Sequence, residues 1–253
     1  MPIVLNEAQD LKLDHISVCI CTFQRPELLS NALAGVTRQV TENAFTFEIV
    51  VVDNDYRHSA AEIVRSVQRG NATQIIYDCE LEQNIALARN RSIQSATGNL
   101  IAFIDDDEYP AEEWLIRLYC AMKRYKVGGI LGPVLPSFPP GAPQWLKKGN
   151  IFGRRRFPTG TRLTVRDTRT GNVLMLRSIL PESANWFDPV FGRTGGEDVD
   201  FFRKQMALGW VFIWCDEAEV YETVTPERWQ ISFHMKKYFR IGALNGENLR
   251  KSS

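Results

Sequence analysis

The densest chemistry in the chain is Ile104-Asp105-Asp106-Asp107-Glu108-Tyr109-Pro110, which puts four consecutive carboxylates directly after the apolar run Leu100 to Ile104. If the backbone is extended there, Asp105 and Asp107 project to one side and Asp106 to the other. Hard oxygen donors of this kind suit Mg2+ or Mn2+, which take one or two carboxylates and leave their other positions to water and substrate phosphates. The competing reading is a solvated acidic turn capping the next helix, and for an isolated triplet it would be the better one. The position at the end of a buried strand reverses that preference. A second acidic pair, Glu197-Asp198, follows Gly195-Gly196 at a predicted helix start. First-turn carboxylates complement a helix dipole, yet the two glycines also allow close approach of a substrate, and one carboxylate could take a proton from an attacking hydroxyl. Spacing alone leaves these two readings even. Asn84, Arg89 and Asn90 fall in the first turns of another predicted helix. There, dipole and guanidinium could hold a diphosphate, or Arg89 could form an ordinary surface ion pair. His15, His58 and His234 show no ligand spacing, and GxGxxG, GxxxxGK[ST] and GxSxG are absent. This argues against the usual dinucleotide-binding, P-loop and serine-hydrolase readings.

These side chains need a scaffold that delivers them to one place. Ile16 to Thr22 is a short apolar run ended by Gln24-Arg25-Pro26, and Glu27 to Val40 then carries Leu28, Leu29, Leu33 and Val36 at helical spacing. The strand-then-helix unit recurs with Phe47 to Val52 and a helix from about Ala60. It recurs again with Gln74 to Cys79 and a helix over about Ile85 to Ala96, and with Leu100 to Ile104 and a helix over about Glu112 to Tyr125. Strands that are apolar almost throughout are those buried on both faces of a parallel sheet. Four such units predict an α/β fold with an open, doubly wound, mostly parallel sheet. Ligands of such sheets bind beyond the carboxyl ends of the strands, where Asp53 and the acidic triplet are expected. In the second half, Gly128 to Leu135 reads as one strand, Pro136 to Gly160 as a basic loop excursion, Asn172 to Arg177 and Trp210 to Cys215 as strands, and Glu197 to about Leu208 as a helix.

The chain of 253 residues suits one domain over 1–225, with halves over 15–125 and 126–225. Residues 226–253 read as a basic amphipathic helical tail, with Arg228, Lys236, Lys237, Arg240, Arg250 and Lys251 interleaved with Trp229, Phe233, Met235, Tyr238, Phe239 and Ile241. Such a tail could lie on an anionic membrane, or its aromatics could pack on the sheet and leave the cations solvated. With 44% hydrophobic and 24% charged residues and a formal net charge of zero, composition names no partner and predicts no nucleic-acid binding. The start of the chain has neither a basic region nor a long apolar run, so a cytoplasmic location is expected, with the tail able to bring the protein to the inner face of the membrane. Five cysteines without CxxC spacing read as reduced core thiols.

Taken in order, CTFQRPELL, VVDND, QNIALARN, LIAFIDDDEYP and GGEDVDFFRKQMALGW resemble the inverting family 2 glycosyltransferases, over about Ile16 to Trp214. Within that family the likeness is to bacterial exopolysaccharide transferases of the succinoglycan type, which act on lipid-linked oligosaccharides. The resemblance implies the GT-A fold and a nucleotide-sugar donor, with UDP-hexose favoured. It also implies a glycan or lipid-linked saccharide acceptor and Mg2+ or Mn2+. It places Thr22, Arg25, Asp53, Asn84, Arg89, Asp105 and Asp106 around the donor nucleotide, with Asp53 reading the base edge and Asp105 near the ribose. Asp107, with Asp105, would hold the metal. Asp198 would be the catalytic base, with Glu197, Gly195 and Gly196 near the donor sugar or acceptor. The chain departs from the family pattern at Ile85, where a glycine is common, and at Glu222, where some members carry a histidine that contacts metal or diphosphate, which leaves the late ligand of the metal site open. QxxRW and its membrane helices are missing, so addition of a single sugar is expected rather than polymerisation. The rival readings are a sugar-1-phosphate nucleotidyltransferase, for which Cys21 to Pro26 lacks the expected glycine-rich loop, and a non-catalytic nucleotide- or carbohydrate-binding module, which would have no need of Glu197-Asp198.

Overall fold

The computed structural model describes residues 13–182 and 185–235, so most of the expected tail, 236–253, lies outside the described residues. The first half contains β1 (Asp14–Thr22), α1 (Pro26–Val36), β2 (Phe45–Asp53), α2 (Ala61–Arg69), β3 (Ile75–Cys79), α3 (Ile85–Ser95), β4 (Leu100–Ile104), β5 (Glu108–Pro110) and α4 (Trp114–Tyr125). The second half adds β6 (Gly129–Leu131), β7 (Val134–Ser137), α5 (Gln144–Lys148), β8 (Asn172–Leu176), α6 (Glu197–Ala207), β9 (Phe212–Trp214) and β10 (Val220–Thr223). Seven strands form the main sheet in the order β3-β2-β1-β4-β8-β6-β9. Only β8 runs against the others, pairing antiparallel with both β4 and β6. The expected α/β class and mostly parallel open sheet are therefore observed.

The strands are apolar throughout because each face of the sheet is covered. On β2, Ile49 and Val51 enter one core cluster and Val50 and Val52 the other; on β4, Leu100, Ala102 and Ile104 separate in the same way from Ile101 and Phe103. Pro26 starts α1, where its fixed φ and missing N–H cost nothing. α4 is held to β8 by a hydrogen bond from Trp114 Nε1 to Asn172 Oδ1, 2.8 Å long and fully buried.

The expected single strand over 128–135 is instead two, β6 in the main sheet and β7 in a second sheet of order β5-β10-β7. The chain changes sheets at Gly132-Pro133. A Cβ at Gly132 would collide with the Ala218 carbonyl and the Asn172 side chain, so no larger residue could make the crossing. The cysteines are all free, but only Cys19 and Cys215 are buried; Cys120 is exposed and Cys21 and Cys79 are half-buried.

Candidate active site

Parallel strands bring their carboxyl ends to one edge. Thr22 ends β1 opposite Asp53 at the end of β2, and Asp105 follows β4 beside them. A cleft of about 740 Å³ opens there, with Thr22, Arg25, Asn54, Asn84 and Asp106 on its walls. Asp53 itself is fully buried. Its Oδ1 accepts from the Asp55 amide at 3.1 Å, and its Oδ2 from the Ala60 amide at 2.7 Å and the Tyr77 hydroxyl at 3.1 Å. Asp53 thus closes the loop into α2, while the adjacent Asn54 is the residue on the cleft wall. Asn84 caps α3 by accepting from the Ala86 and Leu87 amides, donates from its side chain to the Pro189 carbonyl at 2.9 Å, and donates its own backbone amide to Asn54 Oδ1. It holds the floor of the cleft to the segment that leads into α6.

The acidic triplet forms a turn rather than an extended strand, with the Glu108 amide donating to the Asp105 carbonyl at 3.1 Å. Glu108, buried, in turn accepts from the Asp105 amide at 3.1 Å. The three carboxylates are splayed. Asp106 is buried, receiving the Thr22 hydroxyl at 2.8 Å and Arg25 at 3.2 Å. Asp107 faces Arg228 at 3.4 Å and Arg25 at 3.7 Å. Asp105, about half exposed, faces Arg89 at 3.7 Å. Burial pushes the Asp107 carboxyl up to about 7, helped by the negative charges of Asp105, Glu222 and Asp106. Burial also raises Asp106 and Glu108. The donor set is all oxygen and carries more negative charge than its arginines cancel, which fits a hard divalent cation at Asp107 and Asp105. Among the described residues no three His, Cys, Asp or Glu side chains converge on one point. That is no obstacle for an ion that completes its shell with water and phosphate oxygens.

Gly195 and Gly196 both take left-handed backbone conformations, φ 88° and 99°, with nothing within 4 Å of where a side chain would start. Only glycine adopts these angles without strain, and the turn delivers Glu197 and Asp198 to the first turn of α6. Glu197 is buried in an ion pair with the equally buried Arg89. Arg89 therefore bridges the triplet, through Asp105, to the second acidic pair. Among the described residues Asp198 accepts only the Val199 amide, at 2.7 Å, and burial together with Glu197 raises its pKa.

Three further charged residues arrive here: Glu222, at the position where some family members carry a late metal- or diphosphate-contacting histidine, and two arginines that the sequence pattern did not bring to the site. Glu222 on β10 pairs in register with Glu108 on β5 and so stands beside Asp107. Arg154, from the basic loop, reaches Glu222 at 2.9 Å and Glu108 at 3.9 Å. Arg228, from the short helical turn Pro226–Trp229, meets Glu222 at 2.9 Å. Its guanidinium also lies over the Phe152 and Phe233 rings. Arg154 and Arg228 belong to cationic stretches that carry no site signal in the sequence, and the second sheet is what brings them to Glu222.

Over residues 17–183 the sequence matches the family described as glycosyl transferase family 2. It is 31% identical over 239 residues to the succinoglycan biosynthesis protein ExoM of Rhizobium meliloti (strain 1021), covering 94% of this chain and 76% of that protein. It is 24% identical over 242 residues to the chondroitin synthase of Pasteurella multocida (strain Pm70), covering 83% of this chain but only 25% of that one. Among solved structures, S. aureus TarS 1-349 in complex with UDP-GlcNAc aligns with a TM-score of 0.63 at 18% identity, over 83% of this chain and 58% of that one. The mannosyltransferase PcManGT from Pyrobaculum calidifontis, in complex with GDP-Man and Mn2+, aligns with a TM-score of 0.62 at 17% identity, over 87% and 59%. The chain thus spans less than two thirds of either solved chain. The likeness to them is one of fold, and that fold is GT-A.

Proposed function

The chain belongs to glycosyl transferase family 2, and on that premise we propose that it transfers a hexose from a UDP-sugar, with inversion, to a hydroxyl of a lipid-linked saccharide in exopolysaccharide biosynthesis. The observation that carries this reading is the Arg89 bridge. It ties a cleft suited to a nucleotide, floored by Thr22 and Asp106, to the Glu197-Asp198 pair at which an acceptor hydroxyl would be deprotonated.

The reaction is a single in-line displacement. The acceptor oxygen attacks the anomeric carbon while the bond to the diphosphate breaks, the bonding electron pair leaves with the nucleoside diphosphate, and Asp198 takes the hydroxyl proton. Its raised pKa makes Asp198 a better proton acceptor than an ordinary surface carboxylate. Arg89 fixes Glu197 against Asp105, so the base and the diphosphate site keep a constant relation. A bound Mg2+ or Mn2+, held by Asp107 and Asp105, would neutralise charge on the departing diphosphate.

Support for a lipid-borne acceptor comes from the surface beside the site. Ile231 and Met235 are four apart in a helical stretch over 231–235, and both are exposed. Trp145, also exposed, packs its ring against His234, next to Lys147 and Lys148 on α5. No helix among the described residues is long and apolar enough to cross a membrane, so contact would be peripheral. Flotation with anionic vesicles should carry the wild type and lose I231S/M235S; equal flotation counts against it.

The test of the activity is incubation of the purified chain with Mn2+ and a panel of nucleotide sugars. Slow release of UDP from one UDP-hexose is expected. Pyrophosphate release from UTP and a sugar 1-phosphate, or no turnover of any donor, would overturn the assignment.

A further inference from the structure

Around the acidic triplet and α6, four arginines are shared among six carboxylates. Arg25 engages Asp106 and Asp107, Arg89 engages Glu197 and Asp105, Arg154 engages Glu222 and Glu108, and Arg228 engages Glu222 and Asp107. Two further charged groups take part in none of these ion pairs. One is Asp198, the base of the proposed reaction, whose hydrogen bond comes from its own neighbour's amide. The other is Arg169, which makes no ion pair or hydrogen bond among the described residues.

Arg169 lies on the segment leading into β8, between Thr168 and Thr170, both buried. Two residues further on, Gly171 packs directly on the acidic cluster: a Cβ there would sit 2.7 Å from Glu108 Oε1 and 3.0 Å from Asp105 Oδ2. The segment is thereby pinned against the site, and the charges acting on the half-buried Arg169 are Arg154, Glu108, Glu222 and Asp198. Arginine stays protonated in proteins. A partly desolvated guanidinium without a partner is unfavourable until something supplies one. Its planar fork of donors matches phosphate and carboxylate. The nucleotide cleft already has Arg25 and Arg193 on its walls, and Arg169 is not among its lining residues.

We propose that Arg169 is a specificity-determining residue of the acceptor side, taking a phosphate or carboxylate borne by the acceptor while the acceptor's hydroxyl faces Asp198. The acceptor is on this account an anionic saccharide, its charge lying within one or two sugar units of the accepting hydroxyl. This rests on the transferase reading above, and the experiment separates the two.

Wild type, R169A, R169K and R166A, a variant of an exposed arginine on the same segment, are each measured for UDP affinity with Mg2+. Each is then saturated with UDP and titrated with inorganic phosphate and, separately, with glucuronate, reading Tm. At least one anion should raise the Tm of the wild type and of R166A. Its apparent affinity should weaken about tenfold or more in R169A and by less in R169K, with UDP affinity equal in all four. A response identical in wild type and R169A, or no response to either anion, overturns the proposal. So does a loss of UDP affinity in R169A, which would move Arg169 to the donor diphosphate. A wild type that does not bind UDP overturns the donor reading itself, and this inference with it.

Discussion

Replacing Arg89 with Met keeps most of the side-chain bulk but withdraws the cation from between Glu197 and Asp105. The Arg89 and Glu197 side chains are 9% and 8% exposed, so the stranded carboxylate has little access to water. Glu197 Oε2 already lacks a hydrogen-bond partner among the described residues. Removing one member of a buried ion pair costs about 3–5 kcal/mol, because the remaining charge is left uncompensated. For a chain of this size each kcal/mol lowers Tm by roughly 2–4 °C, so R89M should melt on the order of 10 °C below wild type. E197Q leaves Arg89 with Asp105 at 3.7 Å and should lose less. The double variant R89M/E197Q removes both charges and should regain more than half of the R89M loss, a coupling of about 2 kcal/mol or more. Differential scanning fluorimetry of the four proteins measures the cycle. An R89M protein within about 1 kcal/mol of wild type, or a double variant as unstable as the sum of the singles, refutes the bridge.

Because burial raises the Asp198 pKa, the acid limb of kcat/KM should lie above the ordinary aspartate range near 3.9, activity falling as pH drops through the raised value; a limb at or below that range contradicts the assignment. Asp107, pushed up to about 7, has a folded pKa above its unfolded one, so its ionisation works against folding. Metal-free Tm should therefore carry a falling contribution as pH rises from about 4 to about 7, levelling off above it and weaker in D107N, and Mn2+ should stabilise the wild type more at pH 8 than at pH 6. Identical slopes in wild type and D107N would show that Asp107 does not carry the raised pKa, and equal Mn2+ stabilisation of the two would remove it from the cation site. G196A must hold a side chain at φ 99°. It should cost about 1–2 kcal/mol in thermal unfolding and lower turnover by displacing Asp198; unchanged turnover would show that the turn does not position the base.

The first half of the fold was legible because its strands are buried on both faces and punctuated by turns such as Gln24-Arg25-Pro26. The run Phe47 to Val52 can be read without knowing its partners. The second sheet was not legible: β5 is Glu-Tyr-Pro and β10 Val-Tyr-Glu-Thr, too short and too polar to stand out from loop. For the same reason Arg154 could not be placed, nor the surroundings of Glu222, since their meeting depends on the Glu222–Glu108 register. Asp53 and Asn54 show the limit at finer grain. Asp53 ends a buried strand and Asn54 follows it, and only the structure shows that Asp53 accepts from the Asp55 and Ala60 amides and the Tyr77 hydroxyl while Asn54 lines the cleft. Arg228 was read as part of a cationic tail, and its place over Phe152 and against Asp107 follows from packing rather than periodicity.

The central claim is that Asp198 removes the acceptor proton, and D198N tests it with almost no change in shape. In the presence of Mn2+ and the nucleotide sugar that the wild type turns over, D198N should bind UDP and melt as the wild type does while its sugar transfer falls by about 10²-fold or more. Near-normal transfer by folded, UDP-binding D198N would contradict it.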